Sequence, residues 1–421
     1  MEALVIYGGK PLNGAVEIDG AKNAVLPILA ATVRHGAQYT LLNCPDISDV
    51  YLAGEIIELL GGSVVRQGTT LQVDTRELTG WEIPACLMER MRASVLFLGA
   101  ILARFGRAHL TLPGGCPLGR RPIDLHLEVM SQLGAAVTLQ DGEIRCTVDR
   151  FHGGEICFPM PSVGATENFL LAATACDGTA TLYNAAREPE IVDMADFLTA
   201  MGAGIHGAGT EVITVTGGIP LHGAVHRVVP DRIETATYLC ACAGCGGDVT
   251  LTGTESSLLL PVLDALRQAG CDIWERPNGI RIRSEGRPLA VPEVLTAPYP
   301  GFPTDVQAPF MAAMLRACGE TAVTETVFDS RFAHVEQLRR FGAEIRCTGP
   351  TARIRGREML RPAAAEGTDL RGTAALVLAA LQTPGKSTVF GLNHLDRGYA
   401  LMEEKLRRLG ADTFRKQIDR L

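Results

Sequence analysis

Aromatic residues are scarce in this sequence: Phe, Trp and Tyr make up 5% of the 421 residues, whereas 47% are hydrophobic. A core formed by this chain must therefore consist mainly of small aliphatic side chains, and the length is typical of two domains. No apolar run is long enough to cross a bilayer, and residues 3–7 are too short and too uncharged at their start for an export signal. We therefore expect a soluble, cytoplasmic protein that does not bind a membrane.

Positive charge is also in short supply. The 39 Lys and Arg residues are outnumbered by 47 Asp and Glu, which gives a formal net charge of −8. Nucleic acid is therefore not the expected partner, because binding its backbone requires a basic surface. If the ligands are anions, the cations that bind them must be clustered locally. The twelve cysteines are scattered irregularly, which predicts reduced thiols rather than a disulfide framework.

Several motifs that would indicate other activities are missing. The sequence has no His-Glu-x-x-His, Gly-x-Ser-x-Gly or Gly-x-Gly-x-x-Gly element in the required context, which disfavours metalloprotease, hydrolase and dinucleotide-binding functions. Residues 385–387 resemble the end of a phosphate-binding loop, but Ala380 stands where the first glycine belongs. The cysteines of residues 240–245 lie in an apolar helical run without a second pair of ligands, so no metal site is predicted.

What the sequence does contain is an internal repeat. A helical segment that ends in Gly followed by a small residue recurs six times, at intervals of 68 to 73 residues. The six glycines are Gly61, Gly134, Gly202, Gly270, Gly342 and Gly410. Each is placed where a C′ glycine in the left-handed conformation would end an amphipathic helix. The pattern predicts six similar structural units.

A second helix, small and apolar on all sides, lies earlier in each repeat. These segments are residues 24–33, 93–103, 165–176, 235–243, 306–315 and 372–381. A helix without a polar face must be buried, whereas a helix with one covers the outside. Repeats of about 70 residues are too long for a solenoid, so we group them as two α/β domains of three pseudo-symmetric repeats, with crossings near Pro230 and at the first repeat. The cleft between the domains is then the expected ligand site.

One loop combines glycine, proline and a single thiol. Residues 113–122 read Pro-Gly-Gly-Cys-Pro-Leu-Gly-Arg-Arg-Pro, a composition that cannot continue a helix or a strand. Cys116 is therefore expected on an exposed loop. Arg120 and Arg121 follow closely, and neighbouring positive charge favours the reactive thiolate. An ordinary free cysteine in a turn is the alternative interpretation.

Charged residues recur at the starts of the buried helices and of the last outer helix. They are Lys22 with Asn23, Arg92, Asp231 with Arg232, Asp305, Asp369 with Arg371, and Asp396 with Arg397. Each alone is most often a helix cap or a solvated charge. Their recurrence at equivalent ends of symmetric repeats, with cations among them in an acidic protein, indicates a small polyanionic ligand.

Eight short stretches carry a family resemblance that spans essentially the whole chain. They are residues 20–24 (Gly-Ala-Lys-Asn-Ala), 91–94 (Met-Arg-Ala-Ser), 113–116 (Pro-Gly-Gly-Cys) with 121–126 (Arg-Pro-Ile-Asp-Leu-His), 162–166 (Ser-Val-Gly-Ala-Thr), 186–190 (Ala-Arg-Glu-Pro-Glu), 302–305 (Phe-Pro-Thr-Asp) and 396–399 (Asp-Arg-Gly-Tyr). Together they resemble the UDP-N-acetylglucosamine enolpyruvyl transferase family.

The resemblance implies a fold and a reaction. The fold is the two-domain inside-out α/β barrel shared with the shikimate-pathway enolpyruvyl transferase, with residues 1–21 plus 230–421 in the first domain. Residues 22–229 would form the second domain, which carries the Cys116 lid loop. The reaction transfers the enolpyruvyl group of phosphoenolpyruvate to the 3′-hydroxyl of UDP-N-acetylglucosamine by addition and elimination, with release of phosphate. It is the first committed step of peptidoglycan synthesis and implies no metal or other cofactor.

The resemblance also implies residue roles. Cys116 matches the residue that protonates the vinyl carbon and can itself add to it, and Asp305 matches the residue that takes the hydroxyl proton. The cations that match phosphoenolpyruvate contacts are Lys22, Arg121 and Arg397, of which Lys22 and Arg397 count as catalytic, and, near the carboxylate, Arg331 and Arg371. The matches to nucleotide-sugar contacts are Asn23, Arg92, Arg121, Pro122, Ile123, Asp124, Leu125, His126, Ser162, Val163, Gly164, Asp305 and Val327.

The sequence departs from the family pattern at a few positions. Met160 and Pro161 stand where family members often have a lysine and another residue before the Ser-Val-Gly stretch, and Arg120 adds a cation. Two alternatives remain. A shikimate-pathway transferase would have no use for Cys116, and a non-enzymatic binding protein on the same scaffold would not need Lys22 and Asp305 intact. The sequence does not indicate the oligomeric state.

Overall fold

The computed structural model describes residues 2–114, 123–329 and 331–418. The α-helices of this part of the chain are α1 (Lys22–Val33), α2 (Ser48–Leu59), α3 (Ala85–Met88), α4 (Phe97–Phe105), α5 (Asp124–Gln132), α6 (Val163–Ala173), α7 (Pro189–Ala200), α8 (Arg232–Cys245), α9 (Leu260–Gln268), α10 (Gln307–Ala313), α11 (Val335–Arg340), α12 (Leu370–Gln382), α13 (Leu392–Leu395) and α14 (Met402–Arg408). Short 3₁₀ helices cover Arg92–Leu96, Ser256–Leu259, Thr304–Val306 and Met314–Arg316.

The strands of the described residues are β1 (Glu2–Gly8), β2 (Leu12–Glu17), β3 (Gln38–Leu42), β4 (Ser63–Gln67), β5 (Thr70–Asp74), β6 (Glu82–Ile83), β7 (Arg107–Thr111), β8 (Ala136–Gln140), β9 (Glu143–Thr147), β10 (His152–Cys157), β11 (Asp177–Tyr183), β12 (Gly204–His206), β13 (Val212–Thr216), β14 (Val225–Arg227), β15 (Gly247–Thr252), β16 (Asp272–Arg276), β17 (Gly279–Ser284), β18 (Glu293–Leu295), β19 (Glu320–Thr324), β20 (Glu344–Thr348), β21 (Thr351–Arg355), β22 (Ala364–Glu366), β23 (Gly385–Phe390) and β24 (Asp412–Gln417).

The described residues form two compact units, each with three four-stranded sheets. The first unit contains the residues up to Asp19 and those from Pro230 onward, and the second runs from Gly20 to Val229. Every sheet has one parallel pair of strands at its edge and two antiparallel pairs. The predicted fold class, α/β with repeated units, is therefore confirmed.

In the first unit the start of the chain completes sheets made by residues beyond 230. The sheet orders are β22-β23-β1-β24, β16-β17-β15-β2 and β18-β19-β21-β20. Strand β1 pairs with β23 and β24, and β2 lies parallel to β15. Helices α8, α10 and α12 pack against one another and are buried along almost their whole length.

The second unit repeats this arrangement. Its sheet orders are β14-β3-β5-β4, β6-β7-β9-β8 and β10-β11-β13-β12. Strand β14, the last of the unit, lies parallel to β3, the first, so this sheet joins the two ends of the segment. Helices α1, α4 and α6 are the buried helices of this unit, as the apolar segments predicted.

The predicted helix ends are confirmed. All six repeat glycines have positive φ, between 82° and 106°, and each directly follows the last residue of an outer helical turn. Only glycine adopts this conformation without strain, which explains why the period is so regular in the sequence.

Two of the predicted buried helices are interrupted, which the apolar pattern did not reveal. Residues 93–103 divide into the 3₁₀ helix Arg92–Leu96 and α4, where Ser94 Oγ lies 2.5 Å from the carbonyl oxygen of Met91 and competes for a backbone acceptor. Residues 306–315 form α10 only between two 3₁₀ turns. Pro309 accounts for the first of these turns, because it has no amide hydrogen with which to continue the helix from the preceding residues. No helix in the described ranges has the length and apolar character of a membrane span.

Candidate active site

Lys22, the first residue of α1, is held by an acidic residue from the next helix. Its Nζ lies 2.7 Å from Oδ2 of Asp49, and the two side chains are 10% and 4% exposed. Asp49 lies in the first turn of α2. Two charges this deeply buried require each other, since an unpaired buried charge is costly. Asp49 was not predicted, because residues 48–50 look like any helix start.

Two of the predicted nucleotide-sugar contacts of the second unit, His126 and Gly164, lie against each other. His126 lies on α5, and a Cβ atom built on Gly164 would lie 2.8 Å from its Cε1 and 3.1 Å from its Nε2. The imidazole ring therefore needs a glycine at position 164. Ser162 caps the same helix, α6, where its Oγ accepts a hydrogen bond from the amide of Ala165 at 3.4 Å. Burial, followed by the positive charge of Arg92, lowers the pKa of His126 to about 4.

Some of the remaining predicted contacts of this unit lie among the described residues and others do not. Cys116, Arg120, Arg121 and Pro122 lie outside the described residues. Ile123 is buried just before α5, Asp124 is exposed at its start, and Asn23, Leu125 and Val163 are partly exposed. Met160, one of the departures from the family pattern, is 57% exposed.

In the first unit the structure brings together Asp305, Arg331 and Arg371. Arg331 Nη2 lies 2.5 Å from Oδ1 of Asp305, and Arg371 Nη2 lies 3.1 Å from Oδ2. The arginine side chains are 4% and 5% exposed, whereas 26% of the Asp305 side chain is exposed. The carboxylate is thus held by two arginines on its buried side, while about a quarter of its side chain remains exposed.

The two arginines determine the ionisation state of Asp305. Burial alone would raise the pKa of its carboxyl group, but the charges of Arg371 and Arg331 and their hydrogen bonds outweigh burial and lower the pKa well below its usual range. The group is therefore an anion at neutral pH. It can accept a proton, although as a weak base while both arginines hold it.

A buried carboxylate, Glu325, organises the backbone around this group. Its Oε2 accepts a hydrogen bond from Thr304 Oγ1 at 2.8 Å, and Thr304 Oγ1 in turn accepts one from Arg331 at 2.8 Å. Its Oε1 accepts from the amides of Val327 and Phe328 at 2.9 and 3.1 Å. Glu325 therefore ties the backbone of Val327, a predicted contact, into the same hydrogen-bond network as Arg331. A single Glu at the end of β19 gave no sequence signal for this role.

Arg397 lies in the segment that follows α13. Burial and then the charge of Arg397 lower the pKa of His394. Tyr399, two residues on, lies under the Arg371 guanidinium at 5.4 Å and shares a 2.8 Å hydrogen bond with Thr237. The segment of Arg397 is therefore fixed against the start of α12, where Arg371 lies.

Comparison with known proteins gives a consistent picture. A family model described as EPSP synthase (3-phosphoshikimate 1-carboxyvinyltransferase) matches residues 6–406. A protein of Halorhodospira halophila named UDP-N-acetylglucosamine 1-carboxyvinyltransferase is 46% identical over 98% of this chain and 99% of its own length. One of the same name from Magnetococcus marinus is 45% identical over the same shares.

Solved structures agree in fold. The enolpyruvyl transferase NikO from Streptomyces tendae superposes with a TM-score of 0.91 at 29% identity, covering 99% of each chain. EPSP synthase from Acinetobacter baumannii has a TM-score of 0.73 at 18% identity, covering 99% of this chain and all of its own. The second likeness concerns the fold alone. In the described residues no three His, Cys, Asp or Glu side chains are grouped to bind a metal ion.

Proposed function

The chain belongs to the UDP-N-acetylglucosamine 1-carboxyvinyltransferases of the enolpyruvyl transferase family, and we propose that it carries out their reaction. The enolpyruvyl group of phosphoenolpyruvate is transferred to the 3′-hydroxyl of UDP-N-acetylglucosamine, and phosphate is released. This step begins the synthesis of peptidoglycan precursors. We place the enzyme in the cytoplasm, an assignment supported by the free thiols of the described cysteines.

The reaction has two stages. In the addition, the vinyl carbon of phosphoenolpyruvate gains a proton, the neighbouring carbon is attacked by the sugar oxygen, and the hydroxyl loses its proton. In the elimination, the methyl group loses a proton as phosphate leaves, which restores the double bond. The stages require an acid, a base and cations for the phosphate and the carboxylate. We assign the acid to Cys116 and the base to Asp305, and the phosphate to Lys22, Arg121 and Arg397.

The observation that carries the proposal is the ionised, partly exposed carboxylate of Asp305 between two buried arginines. Nη1 of Arg371 is buried and has no hydrogen-bond acceptor among the described residues. Because this N–H group of Arg371 is not used by Asp305, it can donate to a second carboxylate, that of phosphoenolpyruvate. When the substrate takes up part of the arginine charge, the pKa of Asp305 rises, so the base strengthens as the substrate binds.

A direct assay tests the function. Phosphate release from phosphoenolpyruvate is measured with UDP-N-acetylglucosamine and, in parallel, with shikimate 3-phosphate. We expect release only with the nucleotide sugar. Release with shikimate 3-phosphate would assign the chain to the other enolpyruvyl transfer, and no release with either acceptor would favour a binding protein.

Selective alkylation is expected at Cys116. An epoxide phosphonate that mimics phosphoenolpyruvate should react once with this thiol. The thiolate attacks an epoxide carbon, a carbon–sulfur bond forms as a ring carbon–oxygen bond breaks, and the released oxygen takes a proton. Arg120 and Arg121 follow Cys116 in sequence and favour the thiolate. Burial instead raises the pKa of Cys44 and Cys146 to about 12. Peptide mass analysis after treatment locates the adduct.

The control for this labelling is a Cys116→Ser variant, which should remain unmodified. Four other described cysteines are exposed: Cys86, Cys157, Cys318 and Cys347. Adducts distributed over these four would show that exposure, rather than the environment of Cys116, decides reactivity.

A further inference from the structure

A buried asparagine on α6 contacts His126, one of the predicted nucleotide-sugar contacts. Asn168 has no exposed surface, and its side-chain amide bonds to three other segments. Oδ1 lies 2.7 Å from the amide nitrogen of Gly99 on α4. Nδ2 lies 3.1 Å from the carbonyl oxygen of Val95 and 2.8 Å from Nδ1 of His126 on α5.

The two backbone groups fix which way the amide points. The Gly99 amide can only donate a hydrogen bond, so the atom facing it must be the oxygen of Asn168, and the Val95 carbonyl can only accept, so the atom facing it must be the nitrogen. The side chain therefore cannot be reversed. An alanine at position 99 would place its Cβ 2.6 Å from Oδ1, so the glycine there is required for this contact.

The fixed amide decides where the proton of His126 lies. Because Nδ2 of Asn168 donates to Nδ1 of the ring, Nδ1 must be unprotonated, and the neutral imidazole carries its hydrogen on Nε2. Nε2 lies over Gly164 and has no hydrogen-bond partner among the described residues. Within the described residues, the hydrogen on Nε2 therefore has no acceptor and can be donated to a ligand.

We propose that Asn168 is a positioning residue that holds His126 as the neutral Nε2–H tautomer, so that the ring donates a hydrogen bond to an acceptor oxygen of the nucleotide sugar. This inference rests on the proposed function for the identity of the ligand. It makes the histidine a fixed neutral donor, which recognises an oxygen and does not depend on protonation near neutral pH.

The charged groups around His126 are consistent with a ring that stays neutral. Arg92, in the 3₁₀ helix beside α4, opposes a second positive charge. Asp124 and Glu128 on α5 itself are exposed to solvent. Glu167, next to Asn168 on α6, is buried, and burial followed by the charges of Glu190 and Glu188 raises its pKa. Strand β8, which also packs on α5, carries no ionisable side chain.

The Asn168→Asp variant replaces the hydrogen-bond donor that faces Nδ1 of His126 by an acceptor. It therefore tests the inference through the pH dependence of KM. A carboxylate oxygen facing Nδ1 requires a hydrogen there, so His126 is expected to be a charged imidazolium at low pH and the Nδ1–H tautomer at high pH. The imidazolium still donates from Nε2, whereas the neutral Nδ1–H ring does not. KM for UDP-N-acetylglucosamine should therefore rise about tenfold to a hundredfold from about pH 6 to about pH 9 in the variant, with kcat little changed. In the wild type it should stay flat.

Asn184→Asp is the matched control. Asn184 is also a carboxamide of the second unit that donates to a backbone carbonyl, that of Phe158 at 2.9 Å. Its replacement should leave KM independent of pH. A flat KM in Asn168→Asp, or an equal rise in Asn184→Asp, would overturn the inference.

A spectroscopic measurement decides the tautomer even if Asn168→Asp does not fold. In the wild-type protein labelled with ¹⁵N-histidine, Nδ1 of His126 should resonate as an unprotonated nitrogen and Nε2 as a protonated one, without titration between about pH 6 and pH 9. A hydrogen on Nδ1 would refute the inference. Because this spectrum needs no substrate, it is independent of the turnover assay, whose failure would refute the proposed function alone.

Discussion

Replacing Asp305 by asparagine is expected to lower kcat by about 10²–10⁴-fold, the usual effect of removing a positioned base. KM for UDP-N-acetylglucosamine should change only slightly, because the lost interaction acts mainly on the hydroxyl that reacts. Steady-state rates at saturating phosphoenolpyruvate measure both parameters. A variant that keeps more than about a tenth of the wild-type kcat would remove Asp305 from the role of base.

Glu325→Gln is the matched control for this substitution. Glu325 is a buried carboxylate of the same hydrogen-bond network, and it contacts Thr304 and the backbone of Val327. We propose no reacting atom for it. Glu325→Gln should therefore reduce stability and raise KM more than it lowers kcat, whereas Asp305→Asn should lower kcat far more than it raises KM.

The pH profile provides a second check on Asp305. Its pKa in the folded protein is lowered by Arg371 and Arg331 against the effect of burial, so the carboxylate is ionised at all pH values above the ordinary range of aspartate, about 4. The kcat/KM of the free enzyme should then show no acidic limb from this group above about pH 5. An acidic limb near neutral pH that disappears in Asp305→Asn would contradict the lowering of the Asp305 pKa by Arg331 and Arg371.

The repeat architecture could be predicted because it depends on local rules. A left-handed C′ position selects glycine whatever surrounds it, so the six glycines marked the outer helices, and apolar segments marked the buried ones. The interruption before α4 could not be predicted in this way. It depends on Ser94 bonding to a particular carbonyl, which an apolar pattern does not encode.

The partners of the site residues were missed for a related reason. Asp49 and Asn168 matter because of what packs against them, and each partner lies far away in sequence. Asn168 did leave a signal. Residues 166–168 read Thr-Glu-Asn inside a segment whose overall pattern predicts a helix apolar on all sides, and buried polar groups are normally hydrogen-bonded. Three polar residues in a row in a buried helix should have indicated a network.

Removing the carboxylate of Asp49 is expected to destabilise the second unit by about 3–5 kcal/mol, the usual cost of breaking a buried ion pair from one side. In Asp49→Leu the ammonium of Lys22 stays buried and loses the carboxylate that lies 2.7 Å away. Urea unfolding measures the change. The two tryptophans allow the units to be followed separately, since Trp81 belongs to the second unit and Trp274 to the first. A Trp274→Phe background therefore reports on the second unit.

The double variant Lys22→Met with Asp49→Leu separates the structural role of Lys22 from its proposed catalytic role. With both charges gone, apolar side chains of similar length occupy the site, and such replacements of buried pairs are often neutral or stabilising. Stability should therefore return to within about 1 kcal/mol of the wild type. Turnover should stay below about a hundredth of the wild-type rate, since the cation proposed for the phosphate is absent. If activity returned together with stability, Lys22 would act only by holding α1 against α2, and the phosphate would have to be bound by other cations.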